Sequence, residues 1–173
     1  MVQIHVKEVV GPIPFDQTCF IIVTAGQQVF AIPSGPADAE NCHNLLTHES
    51  PFTNAFDFLT ATLEAVDVKI NRVELEVLSG QMYGKIWMQS KGQERPLRLA
   101  CSNPAILINT ALSAEIPIEI SKEELAKLSD VTVEFVRLQA CLAHLFPLPH
   151  ISSTEVLQVL SEFVDKALHV QSK

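Results

Sequence analysis

Two groups of residues in this sequence have the types and spacing to do chemistry. The first is Asp38, Glu40 and His43. Glu40 and His43 are three apart, so on a helix they share a face. A Glu-x-x-His pair supplies two ligands to a metal ion where a second such helix completes the set. Only one such pair is present here. Asp38 is the candidate catalytic acid, and Glu40 and His43 are the candidate metal ligands. The competing reading is a solvated helix face whose first-turn acids are favoured by the helix dipole. The second group is Tyr83, Lys85 and Trp87, which have one parity and share a face of a strand. With Arg95 and Arg98 they fall in the one net-positive stretch of the chain. Lys69, Arg72, Lys85, Lys91, Arg95 and Arg98 stand there against three acids, Glu74, Glu76 and Glu94. Aromatics interleaved with cations on a sheet can stack bases and hold phosphates. The alternative is that the aromatics are buried under a helix or a partner subunit, with the cations snorkelling at the rim.

Other chemistries lack their motifs. There is no G-x-S-x-G elbow, no G-x-x-x-x-G-K-S/T phosphate loop and no G-x-G-x-x-G turn. Cys19, Cys42, Cys101 and Cys141 stand singly, without the C-x-x-C or C-x-x-H spacing of common zinc sites. Cys19 and Cys101 sit in apolar runs and read as buried thiols. A net charge of −8 lowers the expectation of nucleic-acid binding, which is driven by counterion release onto a basic surface. The first residues, Met1 to Lys7, do not have the pattern of a signal peptide. No apolar stretch reaches the ~20 residues that span a bilayer. The expectation is a cytoplasmic chain with reduced thiols and no membrane contact.

The elements that must position these groups follow from periodicity. Val2, Ile4 and Val6 alternate with polar residues as in a half-buried strand. Residues 19–23 are continuously apolar, as in a strand covered on both faces. Val29 to Ile32 is a third strand. Ser34-Gly35-Pro36 starts a helix running to about Thr47. Ser50-Pro51 opens another, ending near Ala65. Val68–Leu78, Met82–Gln89 and Pro96–Ala100 form a meander, with Val73, Leu75 and Val77 facing one way and Arg72, Glu74 and Glu76 the other. A helix over Asn103–Ser113, a short strand at Pro117–Ile120 and a capping box at Ser121-x-x-Glu124 follow. After Asp130 only helical patterns remain. Phe135, Leu138, Leu142 and Leu145 mark one helix. Ser152-x-x-Glu155 opens another, with Val156, Val159, Leu160, Phe163 and Ala167 on its apolar face. These two helices either cover a face of the sheet or form an oligomer interface, and the low charge favours the interface.

The order of these signals resembles the bifunctional nuclease family of small bacterial and plant domains. That family has a Gly-Pro-x-Glu-Ala helix start, matched here by Gly35-Pro36-Ala37-Asp38-Ala39. Its Pro-Leu-Thr-His segment corresponds to Pro51-Phe52-Thr53-Asn54. Its Asp-Gly turn and Phe-Tyr strand start correspond to Ser79-Gly80 and Met82-Tyr83. Its Arg-Pro-Ser-Asp-Ala-Ile helix start corresponds to residues 101–106, from Cys101 to Ile106. The likeness covers residues 1–128. Within it, Asp38 keeps the family acid, while Asn54, Cys101 and Pro104 replace the family His, Arg and Asp. The resemblance implies the family's fold. With these polar groups replaced, it carries nuclease activity over only weakly, because function resides in sites and not in folds.

The expected fold class is α+β: a mixed or antiparallel sheet with packed helices, plus a C-terminal helical pair. The expected organisation is a nuclease-like domain over 1–128 and a helical extension over 129–173. Hydrophobic residues make up 47% of the 173 and charged residues 18%, against about 25% charged in a typical soluble domain. Such a chain has apolar surface to spare. The expected function is therefore that of a divergent, non-catalytic member acting as an oligomeric interaction or regulatory protein, with a second copy as partner and no cofactor. The alternative is a metal-dependent nuclease on DNA or RNA, which needs a divalent ion.

Overall fold

The computed structural model describes residues 1–13, 17–48, 55–90, 93–99, 103–144 and 153–168, with the backbone alone for 93–99, 144 and 153. Among the described residues seven strands form one mixed sheet. In chain order they are β1 (Val2–Val10), β2 (Cys19–Ala25), β3 (Gln28–Ser34), β4 (Val68–Leu78), β5 (Gln81–Ser90), β6 (Gln93–Leu99) and β7 (Ile118–Ile120). Across the sheet the order is β3-β2-β1-β7-β4-β5-β6. Every pairing is antiparallel except β4 with β7, which is parallel. The helices are α1 (Pro36–Thr47), α2 (Ala55–Ala65), α3 (Pro104–Ser113), the short α4 (Lys122–Leu125), α5 (Thr132–His144) and α6 (Ser153–Leu168). The α+β expectation is met. No helix among the described residues is long and apolar enough to cross a membrane.

The strand alternation explains the layers. One face of the sheet carries Ile4, Ile21, Val23, Phe30, Ile32, Val73, Leu75, Ile86, Ile118 and Ile120. Cys42 of α1 and Ala105, Leu107, Ile108 and Ala111 of α3 pack onto it. Each of these two helices starts with Pro at its first position, after Gly35 and Asn103 respectively. The missing Pro N–H costs nothing there, and its fixed φ suits the helix. Gly84 of β5 lets α3 approach closely, since a Cβ there would strike Leu107 and lie 3.0 Å from the Glu74 carbonyl oxygen. The β4–β5 turn has φ of 50° at Ser79 and 77° at Gly80, the two-residue geometry that matches strand twist.

The second face is divided. Over β2 and β3 it is apolar: Phe20, Ile22 and Val29 form a core with Val131, Phe135 and Leu138 at α5 and with Val159 and Phe163 of α6. The Phe163 ring meets Phe20 edge-on at 5.4 Å and Phe135 at 6.5 Å. The C-terminal helices thus cover the sheet, and their main apolar faces are spent inside the chain. This revises the leaning toward an interface made by those faces. It also accounts for the unbroken apolar run of β2, all five of whose residues from Cys19 to Val23 are buried. Over β4 and β5 the same face is polar, and no described helix lies on it.

Two local expectations are adjusted. The last strand of the meander begins at Gln93, so Pro96 lies within it, opposite Trp87. Proline is tolerated there because β6 is an edge strand. Ser121 caps α4 through the Glu124 N–H. The Glu124 carboxylate, however, accepts from the Val77 N–H at 2.7 Å and from Lys127, which ties α4 to the end of β4. The predicted starts at Ser50-Pro51 and Ser152 fall outside the described residues.

Candidate functional site

The structure separates the first group of candidates. At ~100° per residue, Asp38 lies about 200° around α1 from Glu40, while His43 comes back to within about 60° of it. Glu40 and His43 are exposed and line a shallow depression with Cys19, Gly11, Pro12 and Pro36. Asp38 faces α3 instead. Its carboxylate accepts from the Asn103 side-chain amide, and its backbone carbonyl accepts from Asn109 Nδ2 at 3.0 Å. Asn103 is used twice, because its Oδ1 also accepts from the Ala105 N–H at 3.1 Å and so caps α3. Asp38 therefore joins the N-terminal ends of α1 and α3, where both helix dipoles favour a negative charge. Among the described residues no three His, Cys, Asp or Glu side chains are grouped to hold a metal ion. The correction is physical: Asp38, Glu40 and His43 are close in sequence, but helical rotation sends the acid inward and the other two outward.

Burial disfavours the thiolate form of the neighbouring cysteines. Burial pushes Cys42 up to about 12 and raises Cys19 as well. Nucleophilic cysteines need the opposite shift. Cys101 and Asn54 lie outside the described residues. Pro104 is the buried first residue of α3.

The second group is brought together, but not as a free binding surface. Tyr83, Lys85 and Trp87 share the polar half of the second face with Arg72, Glu74, Glu76 and Glu119. Trp87 Nε1 donates to Glu74 Oε2 at 2.8 Å, and the Arg72 guanidinium lies 4.1 Å from the centre of the indole ring. Lys85 pairs with Glu76 and lies 4.0 Å from Glu74. Arg72 Nε reaches Glu119 at 3.5 Å. The Tyr83 hydroxyl donates to Gln81 at 2.7 Å. The register puts Arg98 opposite Lys85, and Arg95 opposite Met88, outside the Lys85 row. The aromatic that would stack a base is thus covered by a cation, and the cation that would hold a phosphate is held by two carboxylates. Neither a helix nor snorkelling at a rim is what satisfies these residues: cross-strand pairs do it.

The sequence reading missed how the C-terminal helices lock onto the sheet. Asp130 accepts from the Thr132 N–H at 2.9 Å, which opens α5, and from Gln28 Nε2 of β3 at 3.3 Å. Thr132 Oγ1 accepts from the Val29 N–H at 2.9 Å, and the Val131 N–H donates to the Val29 carbonyl at 2.8 Å. The Asp-x-Thr spacing just before an apolar helix is a cap signal that could have shown the start of α5. Its reach to β3 has no local signature. No protein-family model matches this chain, and no curated protein matches it.

Proposed function

We propose that this chain is a divergent, non-catalytic member of the bifunctional nuclease type, acting as an oligomeric interaction protein with a second copy as its partner. The observation that carries the reading is α2. Its sequence is strongly apolar, yet none of its residues is buried. Phe58 is 70% exposed, and Leu59 and, just past the helix, Val66 are exposed too. Side chains of this kind gain roughly 1.5–3 kcal/mol each on full burial. Together they expose on the order of a few hundred Å² of apolar surface, comparable with the largest apolar patch of a typical monomer, which is often functional. The spent state of Asp38, Lys85 and Trp87 supports the non-catalytic part.

Light scattering after size exclusion tests the oligomer. The expected result is a mass above one chain at micromolar concentration, reduced to one chain by Phe58→Glu. A single-chain mass for the unaltered protein at that concentration overturns the reading. The nuclease alternative is tested by incubating single-stranded and duplex DNA and RNA with the protein, with and without magnesium or manganese. Metal-dependent cleavage lost in Asp38→Ala would establish the alternative.

A further inference from the structure

Of the outward-facing positions on the β3 edge of the sheet, only Ala31 offers both its N–H and its C=O. Register and hydrogen bonds show that Val29, Ala31 and Pro33 turn their backbone groups away from β2. At Val29 the N–H is taken by Thr132 Oγ1 and the carbonyl by the Val131 N–H. At Pro33 there is no N–H to offer. Such blunting is how folded proteins keep sheet edges from pairing with other chains. Ala31 is the exception, and its N–H and C=O have no partner on that edge among the described residues. It also opens into a cleft of about 220 Å³, walled by Phe30, Pro33, Val77, Met82, Leu128 and Leu168.

We infer that this cleft is a docking site for a short extended segment of a partner protein, with an apolar side chain as its anchor. Three points select that occupant. A residue lying antiparallel opposite Ala31 can exchange both backbone bonds with it, as in a closely spaced strand pair. Thr132 and Pro33 limit the added strand to about three residues, so a whole edge strand of a second copy does not fit. The cleft is smaller than the ~300–1,000 Å³ of usual small-molecule sites, which suits one side chain better than a complete ligand. Main-chain pairing supplies affinity and the cleft supplies selectivity. The inference does not depend on self-association through α2, which uses other residues.

The test uses the full chain, labelled with nitrogen-15, and blocked pentapeptides with valine, isoleucine, leucine, methionine or phenylalanine at the centre of four threonines. A matching set is N-methylated at the central residue. At least one unmethylated peptide is expected to shift the amides of Ala31, Met82 and Leu168 to saturation, and N-methylation to weaken it by about tenfold or more. Ala31→Pro should abolish the response while the chain stays folded, since proline fits an outward edge position. Should that variant unfold, the methylated peptides still decide. The inference is overturned if no peptide saturates at millimolar concentration, or if methylated and unmethylated peptides bind alike. It is also overturned if the Ala31 amide is already protected by a second copy in the free protein.

Discussion

Replacing Phe163 with alanine should destabilise the whole molecule, not only its last two helices. Phe163 is fully buried and lies between Phe20 of β2 and Phe135 of α5, so it belongs to the core that joins the C-terminal pair to the sheet. Truncating such a phenylalanine costs about 3–5 kcal/mol, lost transfer energy and residual cavity together. That is a large share of the 5–15 kcal/mol typical of a domain. With a urea slope near 2 kcal/mol per molar, the midpoint falls by about 2 M. Two probes watch different parts. Far-ultraviolet circular dichroism follows the helices, and the single tryptophan, Trp87, follows β5, on the other side of the sheet from β2 and β3. Both transitions should move together by the same amount. Combining Phe163→Ala with Phe20→Ala should recover a coupling of about 0.5–1.5 kcal/mol for the edge-on ring pair. A dichroism step at low urea with an unmoved Trp87 transition would refute the shared core. It would make 129–173 an appendage to a domain that stands without it.

Gly84→Ala should cost about 1–3 kcal/mol by overpacking, because a Cβ at Gly84 runs into Leu107 of α3; urea unfolding measures it, and an unchanged midpoint would mean that α3 is not held this close. A pH effect should come from Glu134. Burial by itself would raise its carboxyl, but the Lys166 ammonium, 2.8 Å away, holds it below its ordinary 4.5. A carboxyl depressed in the folded state contributes stability above its unfolded pKa and loses it as pH falls through the folded one. The contribution is thus present at neutral pH and fades below about 4.5. Glu134→Gln should lower the neutral-pH unfolding midpoint and narrow the gap between midpoints at pH 7 and pH 3.5. An unchanged gap would remove Glu134 from the acid response.

Much of the fold was legible because periodicity and punctuation agree. The alternation of Val73, Leu75 and Val77 against Arg72, Glu74 and Glu76 gave β4 its two faces, and α1 begins where Gly35-Pro36 says. The destination of the C-terminal helices was not legible. The face of α6 with Val159 and Phe163 suits a partner subunit as well as it suits Phe20 and Ile22, since apolar burial has no direction. What decides is long-range: Asp130 to Gln28 and Thr132 to Val29, bonds between residues about a hundred positions apart. The surroundings of the site candidates were not legible for a related reason. Residue type and spacing place side chains on a face, but not the partners that meet them there. Asp38 was expected beside Glu40 and is held by Asn103, and Lys85 was expected beside a phosphate and is held by Glu76.

The divided second face of the sheet bears on the low charge content of the chain. The deficit of charge is concentrated over β2 and β3, where α5 and α6 absorb it. Over β4 and β5 the charges are present and matched. Glu74, Glu76 and Glu119 face Arg72 and Lys85, and the register adds Lys69, opposite Gln89, to the same face, so the described charges of this surface balance, three cations against three acids. A phosphate approaching Lys85 must first separate it from two carboxylates. Apolar surface is left unspent on α2, which carries no buried residue, and also at Val133, Val136, Leu142 and Leu157 of α5 and α6. Two copies of a chain at −8 repel each other, but at physiological ionic strength that repulsion is screened beyond about 8 Å. Contact through Phe58 and Leu59 then meets opposition only from the acids beside them, Asp57, Glu64 and Asp67, and burial of the two apolar side chains itself needs no charge complementarity. The same net charge that weakens the case for a nucleic acid on β5 is therefore compatible with a second copy on α2.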